Sequence, residues 1–421
     1  MISKHSQLPK GWKELTLGDF LIPTLRKVEK PSSAYKRLGL RSHGKGTFIT
    51  DVEDPDDVAM DFLYEAKKDD LIVNITFAWE GAVAIVKETD EGALVSHRFP
   101  TYTFNKEIVV PEYFQYVVLS KRFFYMLAAI SPGGAGRNRV LNKTDFLKLR
   151  IYVPPVQEQF KIFDIVNTWS RATSLLERLI FAKQELKKGL IQNLITGQRR
   201  FKNISNKSKK ASKLGELPAD YGVENLENIA DIVFSNVDKL SEEKESSVLL
   251  CNYLDVFNNT FITSKLSFMK ATAKQREIEK FSLKKHDLII TKDSETAEDI
   301  AKAAVVDEDL ENTLCGYHLA ILRPHKEKIG GTFLMYALQN HKIRHQFIQA
   351  ANGVTRFGLT TDAISRTKVI MPPLLEQEKI SDCLRAIETE IDLLKQKLVT
   401  LRKQKQGLIN IFSSGEVRVK A

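Results

Sequence analysis

Cysteine is nearly absent: Cys251, Cys315 and Cys383 are the three in 421 residues, and no two form a CxxC pair. An odd, scattered set of thiols excludes a disulfide framework and a cysteine-built zinc site, and it suits a reducing compartment. Long apolar runs are missing as well. The most hydrophobic stretch, Leu71 to Val86, is interrupted by Asn74, Thr76, Glu80 and Gly81 and is too short to span a bilayer. The opening segment MISKHSQLPKGW lacks the apolar core of a secretory signal, so the expected location is the cytoplasm. Catalytic signatures are equally scarce. Gly39 to Gly46 fits GxxxxGK, but Gly46 stands where a phosphate loop needs Ser or Thr, and the preceding AYKRL is no buried strand. His341 and His345 sit four apart, yet Lys342 replaces the glutamate of a metalloprotease and no third ligand is evident. The two Pro-Pro pairs read VPPV and MPPL, not the Asn/Asp-Pro-Pro-aromatic motif of adenine methylation. No glycine-rich fingerprint for S-adenosylmethionine stands out either.

What is present is a globular composition, 43% hydrophobic and 28% charged, long enough for two or three domains. Lys and Arg number 63 against 53 Asp and Glu, a net charge of +10 that favours a polyanionic partner through counterion release.

The chain also repeats itself. Leu8-Pro9 with Trp12 and Leu17 recurs 209 residues later as Leu217-Pro218 with Tyr221 and Leu226. Asp70-Leu71-Ile72 recurs as Asp287-Leu288-Ile289, and Gly136, Arg139 and Asp145 as Gly353, Arg356 and Asp362, both at an offset of 217. PPVQEQFKI (Pro154 to Ile162) returns as PPLLEQEKI (Pro372 to Ile380), and Gly189-Leu190-Ile191 and Gly197 return as Gly407-Leu408-Ile409 and Gly415, at 218. The drift from 209 to 218 reflects insertions of the kind loops permit.

Each copy ends in a long helix. After Pro372-Pro373, Ile380, Ile387, Leu394, Leu401 and Leu408 fall seven apart, with Leu384, Ile391, Leu398, Lys405 and Phe412 four residues on. Alternating spacings of four and three define a coiled-coil seam. In the first copy the same seam reads Ile162, Val166, Trp169, Thr173, Leu176, Ile180, Lys183, Lys187, Leu190 and Leu194. Both helices are expected to stop at a glycine, Gly197 and Gly415, and two matching seams in one chain most simply pack on each other, antiparallel if a two-fold axis relates the repeats. Lys202 to Lys213, basic and Ser-rich, reads as a linker.

Within the copies, Leu71–Ile75, Ala82–Val86, Leu288–Thr291 and Ala303–Val306 are strand-like, while 111–127 and 334–348 look helical. The fold class is therefore α+β, with two tandem domains each followed by a long helix. The expected division is 1–155 for the first domain, 156–197 for the first helix, 198–214 for the linker, 215–373 for the second domain, 374–415 for the second helix and 416–421 for a tail.

Two copies of PPxxEQxxI running into a long amphipathic helix, then GLI and a terminal glycine, resemble the specificity subunit of type I restriction-modification enzymes. The likeness extends to the entry motif (LPKGW, altered to LPADY in the second copy), to ITFAWEGAVAIV, and to the Gly-x-x-Arg segments GRNR and GVTR. It implies two target-recognition domains, each reading one half of a bipartite, asymmetric site in double-stranded DNA, with the helices as spacer. It further implies a prokaryotic source, DNA methyltransferase (modification) subunits on the helices, and restriction/translocase subunits. No cofactor is expected in this chain; S-adenosylmethionine, ATP and magnesium belong to those partners.

Base edges and phosphates are met by Arg, Lys, Asn, His and aromatic side chains. Candidates in the first domain are Arg37, Arg41, His43 and Lys45 in a basic, glycine-exposed loop, Trp79 in a turn, and Arg137, Asn138 and Arg139 after a Gly-rich stretch. The second domain offers Lys292, Tyr317, His318, Thr355 and Arg356. For each, the alternative is a solvated loop or core role. Glu158-Gln159 and Glu376-Gln377 are candidates for a partner-subunit interface, or else residues placed to favour a helix N-terminus. Two other functions stay open at this stage. One is a self-sufficient magnesium nuclease built on Pro55-Asp56 with Glu65-Ala66-Lys67, and the other is a coiled-coil scaffold with no DNA role.

If the net positive charge serves DNA binding, affinity should fall about a thousandfold between roughly 50 and 200 mM salt for about six phosphate contacts. Filter binding or fluorescence anisotropy across that range checks it, and affinity indifferent to salt would refute the electrostatic reading.

Overall fold

A computed structural model describes residues 8–133, 139–202, 208–239 and 241–419. The chain divides into two compact units, Met1–Arg178 with Lys395–Ala421, and Leu179–Leu394. The divisions between these units fall inside the two long helices. Each unit contains a mixed domain and a stretch of both helices, because neither seam is buried until the other covers it.

The long helices are Val156–Ile195 and Leu374–Ser414. All twenty seam positions are buried or half-buried. In the first unit Arg402 reaches Glu177 at 2.8 Å and Lys405 reaches Ser170 at 3.5 Å. In the second, Lys183 meets Glu390 at 2.7 Å and Lys187 meets Glu388 at 2.5 Å. Rising numbers on one helix pair with falling numbers on the other, so the packing is antiparallel in each unit. The lysines that break the apolar pattern are thus accounted for: two of the three hold glutamates of the facing helix.

Both helices end as expected, with Gly197 at φ +68° and Gly415 at φ +74°. Arg199 N–H donates to Asn193 O and Glu416 N–H to Ile411 O, the bonds that close a left-handed helix end. The glycines answer a second constraint. A Cβ on Gly197 would lie 2.4 Å from Pro218, and one on Gly415 would lie 3.2 Å from Pro9 and Trp12. The entry motif of each domain, LPKGW or LPADY, therefore packs against the glycine that ends a helix.

In the first unit a four-stranded sheet (Leu21–Pro23, Thr101–Phe104, Leu71–Val73, Val83–Ile85) carries three helices, Pro111–Val117, Lys121–Ala129 and Lys143–Leu147. A five-stranded sheet holds Arg26–Glu29, Phe62–Glu65, Leu94–Val95, Tyr35–Leu40 and Thr47–Val52. Phe114, Phe123 and Phe146 join Ile162, Val166, Ile409 and Phe412 in one core, so the domain and the helix segments fold as one body. The second unit repeats the plan with Ala230–Phe234, Leu319–Pro324, Leu288–Thr291, Ala303–Val306 and Phe261–Ile262 in one sheet and Met269–Ala273, Ser246–Cys251 and Thr313–Cys315 in another. Its core likewise joins Phe333 and Phe347 to Ile191, Leu194, Ile380 and Leu384. The aspartate of the repeated Asp-Leu-Ile is structural: buried Asp70 pairs with Arg26 and buried Asp287 with Arg323.

Some expectations need correction. The helical stretches over 111–127 and 334–348 are each two helices, because the Ser120 hydroxyl caps Phe123 N–H and the Asn340 amide caps Lys342 N–H, starting a new helix mid-run. Part of the expected linker is ordered, since Lys209–Ser212 pairs antiparallel with Gly215–Pro218; residues 203–207 lie outside the described residues. The GxxxxGK match is a hairpin, with Tyr35–Leu40 paired to Thr47–Val52 across it, so no helix follows to receive a phosphate.

The Lys187–Glu388 pair yields a stability prediction. Glu388 is 8% exposed and its other oxygen accepts from Thr260. Lys187→Ala strands that carboxylate at a cost of about 3 kcal/mol, which should lower the melting temperature by roughly 5–10 °C. Replacing both residues by leucine should restore most of the loss in a calorimetric scan. A double variant as unstable as the single one would show that the loss is not electrostatic.

Candidate nucleic-acid interface

Two loop clusters, one per unit, gather most of the candidate residues, and repeat-equivalent backbone positions hold both. In the first unit the central strand Leu71–Val73 runs into the turn of residues 74–81. Leu141 N–H donates to Ile75 O at 2.8 Å, which ties the segment after the Gly-rich stretch to that turn. In the second, Leu359 N–H donates to Lys292 O at 2.8 Å, a corresponding bond to the repeat equivalent of Ile75 made from one residue further along the second copy. Arg139, two residues before the first tie, and Arg356, three before the second, are thereby held beside equivalent turns.

The turns surround them with different chemistry. In the first unit Trp79 is half-buried, its indole N–H donating to Thr76 O at 3.1 Å, and the Arg139 guanidinium lies 5.2 Å from the ring centroid. Arg98, which sequence reasoning passed over, donates to the Thr76 hydroxyl at 3.3 Å. The hairpin loop reaches the same place. His43 N–H donates to Glu80 O at 2.7 Å, Gly44 N–H to Gly81 O at 3.0 Å, and the Ser42 hydroxyl to Glu80 Oε2 at 2.7 Å. His43 (φ 62°) takes a left-handed backbone to do so. Lys45 is exposed beside it. Arg41 turns back on its own hairpin, donating to Thr47 O at 3.0 Å and covering Phe48 at 4.9 Å. Arg37 is exposed on the strand opposite Thr50, on a separate part of the sheet. Arg137 and Asn138 lie outside the described residues.

In the second unit Arg356 Nη2 donates to Asp293 Oδ1 at 3.0 Å, and His318 Nδ1 pairs with Asp293 Oδ2 at 2.8 Å. Tyr317, 51% exposed, meets the His318 ring edge-on. The Lys292 ammonium lies 4.6 Å from the Tyr317 ring centroid and donates to Ser235 O at 2.9 Å. Burial lowers its pKa below the ordinary lysine value. Thr355 is exposed on the loop that carries Arg356. Asp293, the hub of this cluster, was missed by sequence reasoning. Its one signal was its position next to Lys292, at the repeat equivalent of Thr76.

Glu158, Gln159, Glu376 and Gln377 are buried and engaged within the chain. Gln159 accepts from Val110 N–H and donates to Ile108 O and Pro154 O; Gln377 accepts from Gly330 N–H and donates to Lys328 O and Pro372 O. Glu158 accepts from the Trp12 indole (3.2 Å), Arg418 (2.8 Å) and Val419 N–H. Glu376 accepts from Arg200 Nε and Nη2 at 3.0 and 2.6 Å, and Arg200 also grips Asp220. All four side chains are thus engaged within the chain. His341 donates its backbone N–H to Gln192, with its ring also at that amide. Asp56 faces Lys30 and Glu65 faces Lys67, and among the described residues no three His, Cys, Asp or Glu side chains cluster to hold a metal ion.

Comparison with known proteins covers nearly the whole chain. The family model described as the type I restriction modification DNA specificity domain matches residues 9–187 and 220–403. The specificity subunit of the type I restriction enzyme MjaVIII from Methanocaldococcus jannaschii is 22% identical over 418 residues, 98% of this chain and 95% of its own. Among solved structures, a chain from a study of complex assembly and conformational transition of the type I R-M system matches with a TM-score of 0.60 at 18% identity, covering 98% of this chain and 100% of that one. The HsdS subunit from Thermoanaerobacter tengcongensis matches with a TM-score of 0.51 at 19% identity, covering 99% and 100%. At these identities the structural likeness establishes the fold.

Proposed function

Because the chain belongs to the type I restriction-modification DNA specificity family, and so is a specificity subunit, we propose that its two units read the two different halves of a split, asymmetric target. The observation that carries this reading is the pair of repeat-equivalent arginines, Arg139 and Arg356. Corresponding backbone bonds tie their segments to equivalent turns, yet one stands over an indole and the other beside a carboxylate. One scaffold that presents two chemistries suits two unlike half-sites, whereas two identical surfaces would suit a palindrome. His43, Lys45, Trp79, Arg98 and Arg139 form the reading surface of the first unit, and Tyr317, His318, Thr355 and Arg356 that of the second. The nuclease reading finds no clustered acidic set among the described residues, and the scaffold reading leaves both loop clusters without a role. In this proposal the chemistry belongs to partners: modification subunits that bind S-adenosylmethionine and methylate adenine, and restriction subunits that use ATP and magnesium. This chain supplies the address. No helix among the described residues is long and apolar enough to cross a membrane.

Exchanging residues 1–150 for the corresponding domain of a relative should change one half of the methylated site and leave the other intact. Methylome sequencing of cells that carry the hybrid with its modification subunits reads this directly. A change in both halves would show that the units do not read independently.

A further inference from the structure

Arg356 differs from Arg139 in one respect that bears on what it contacts. Its partner, the Asp293 carboxylate, lies 3.0 Å away and offsets much of its positive charge. A DNA phosphate approaching Arg356 would meet the repulsion of that carboxylate and gain little. The base edges of the major groove carry no net charge, and their acceptors reward a correctly oriented pair of donors. Among the described residues no carboxylate pairs with Arg139, which keeps its positive charge.

Orientation is what the second unit supplies. Asp293 holds one guanidinium nitrogen, while Nη1 and Nε have no partner among the described residues, and the side chain is 61% exposed. His318 Nδ1 pairs with the other oxygen of Asp293 and lies 3.2 Å from Arg356 Nη2. The carrier loop is itself braced: Asn352 and Gly358 exchange backbone hydrogen bonds, and Phe357–Gly358 pairs with Asp293–Ser294. Gly353, at φ +140°, passes so close to the Arg356 carbonyl that a Cβ there would collide with it. Val354, at the tip, is 93% exposed. A guanidinium held through one hydrogen of Nη2 keeps its Nη1 and Nε hydrogens and the second Nη2 hydrogen, so it still offers a paired edge to two adjacent acceptors.

We infer that Arg356, oriented by Asp293, reads the O6 and N7 edge of a guanine in the half-site of the second unit. Of the four bases, guanine presents two acceptors side by side in the major groove. The assignment rests on the DNA-reading function proposed above. It makes Arg356 a determinant of specificity and Asp293 a positioning residue that never touches DNA.

The test uses the full chain assembled with its modification subunits, methylating a DNA library randomised across the target, with methylated sites sequenced. The half-site of the second unit, identified by the domain exchange, should contain a guanine. Arg356→Ala should relax discrimination at that one position by ten- to a hundredfold, on the order of one good bidentate contact, and leave every other position unchanged. Arg356→Lys keeps the charge but not the fork, so it should relax the same position while the salt dependence of binding stays at the wild-type slope. Asp293→Asn should weaken the same preference in part. A phosphate contact would look different: Arg356→Ala would lower methylation of all sites alike and reduce the salt slope by about one, and Arg356→Lys would rescue it. That result, or a half-site with no specified guanine, overturns the assignment and leaves the DNA-reading function standing. A wild-type assembly that methylates no split site overturns both.

Discussion

Each unit closes on a buried glutamate. Glu158 and Glu376 open the two long helices at equivalent places in the repeat, and each carboxylate is gripped by an arginine that lies just past the terminal glycine of the other helix, Arg418 and Arg200. A buried carboxylate without its cation is strongly unfavourable, so the chain must bring these distant segments together or leave the charge stranded. The same closure seats the entry motif, since Trp12 donates to Glu158 and the Arg200 guanidinium covers the Tyr221 ring. It also requires the terminal glycines, whose missing side chains let Pro9, Trp12 and Pro218 approach. The neighbouring glutamines satisfy the backbone groups where the domain meets the helix. One recurrent set of residues therefore ties helix start, helix end and domain entry into each unit.

A closure made by residues other than those of the loops separates two requirements. The segments that fold the unit recur with little change, while the loops at the far ends of the central strands differ between copies. The backbone bonds Leu141 to Ile75 and Leu359 to Lys292 survive because they involve no side chain. What hangs from them is then free to vary: Thr76, Trp79 and Arg139 in one unit become a cluster of Asp293, His318 and Arg356 in the other. Specificity resides where substitution does not disturb folding, on loops positioned by a rigid scaffold.

This division also explains what was legible in the sequence. The seams were readable because a helix repeats its environment every three or four residues, and all twenty positions lie inward as the spacing requires. The terminal glycines were readable because a left-handed helix end has a chemical preference. The role of Glu158 and Glu376 was not, because Arg418 lies 260 residues from Glu158 and Arg200 lies 176 from Glu376. No local pattern encodes a partner at that separation, and a glutamate in a first helical turn looks the same exposed or buried. The split helices were missed for a milder reason: Ser120 and Asn340 are polar residues in apolar runs, tolerated within a helix but stronger as caps.

The reading surface was legible as a set of residue types and not as a geometry. Basic residues beside glycines mark exposed loops, and Lys45, Arg139 and Arg356 do lie on them, but the same signal covers Arg41, which folds back onto its own hairpin. Lys292 shows a second limit of such signals. Its charge suggested contact with DNA, yet its ammonium is tied to Ser235 O beneath Tyr317, where burial weakens its hold on the proton. Asp293 drew no notice, since an acidic residue at a polyanion-binding surface looks like an error. It is informative for that reason. A surface built only to attract phosphate has no use for a carboxylate, whereas a surface that must orient an arginine toward a neutral base edge needs one beside it. On the proposed assignment, the negative charge within the basic cluster is the feature that separates reading DNA from merely holding it.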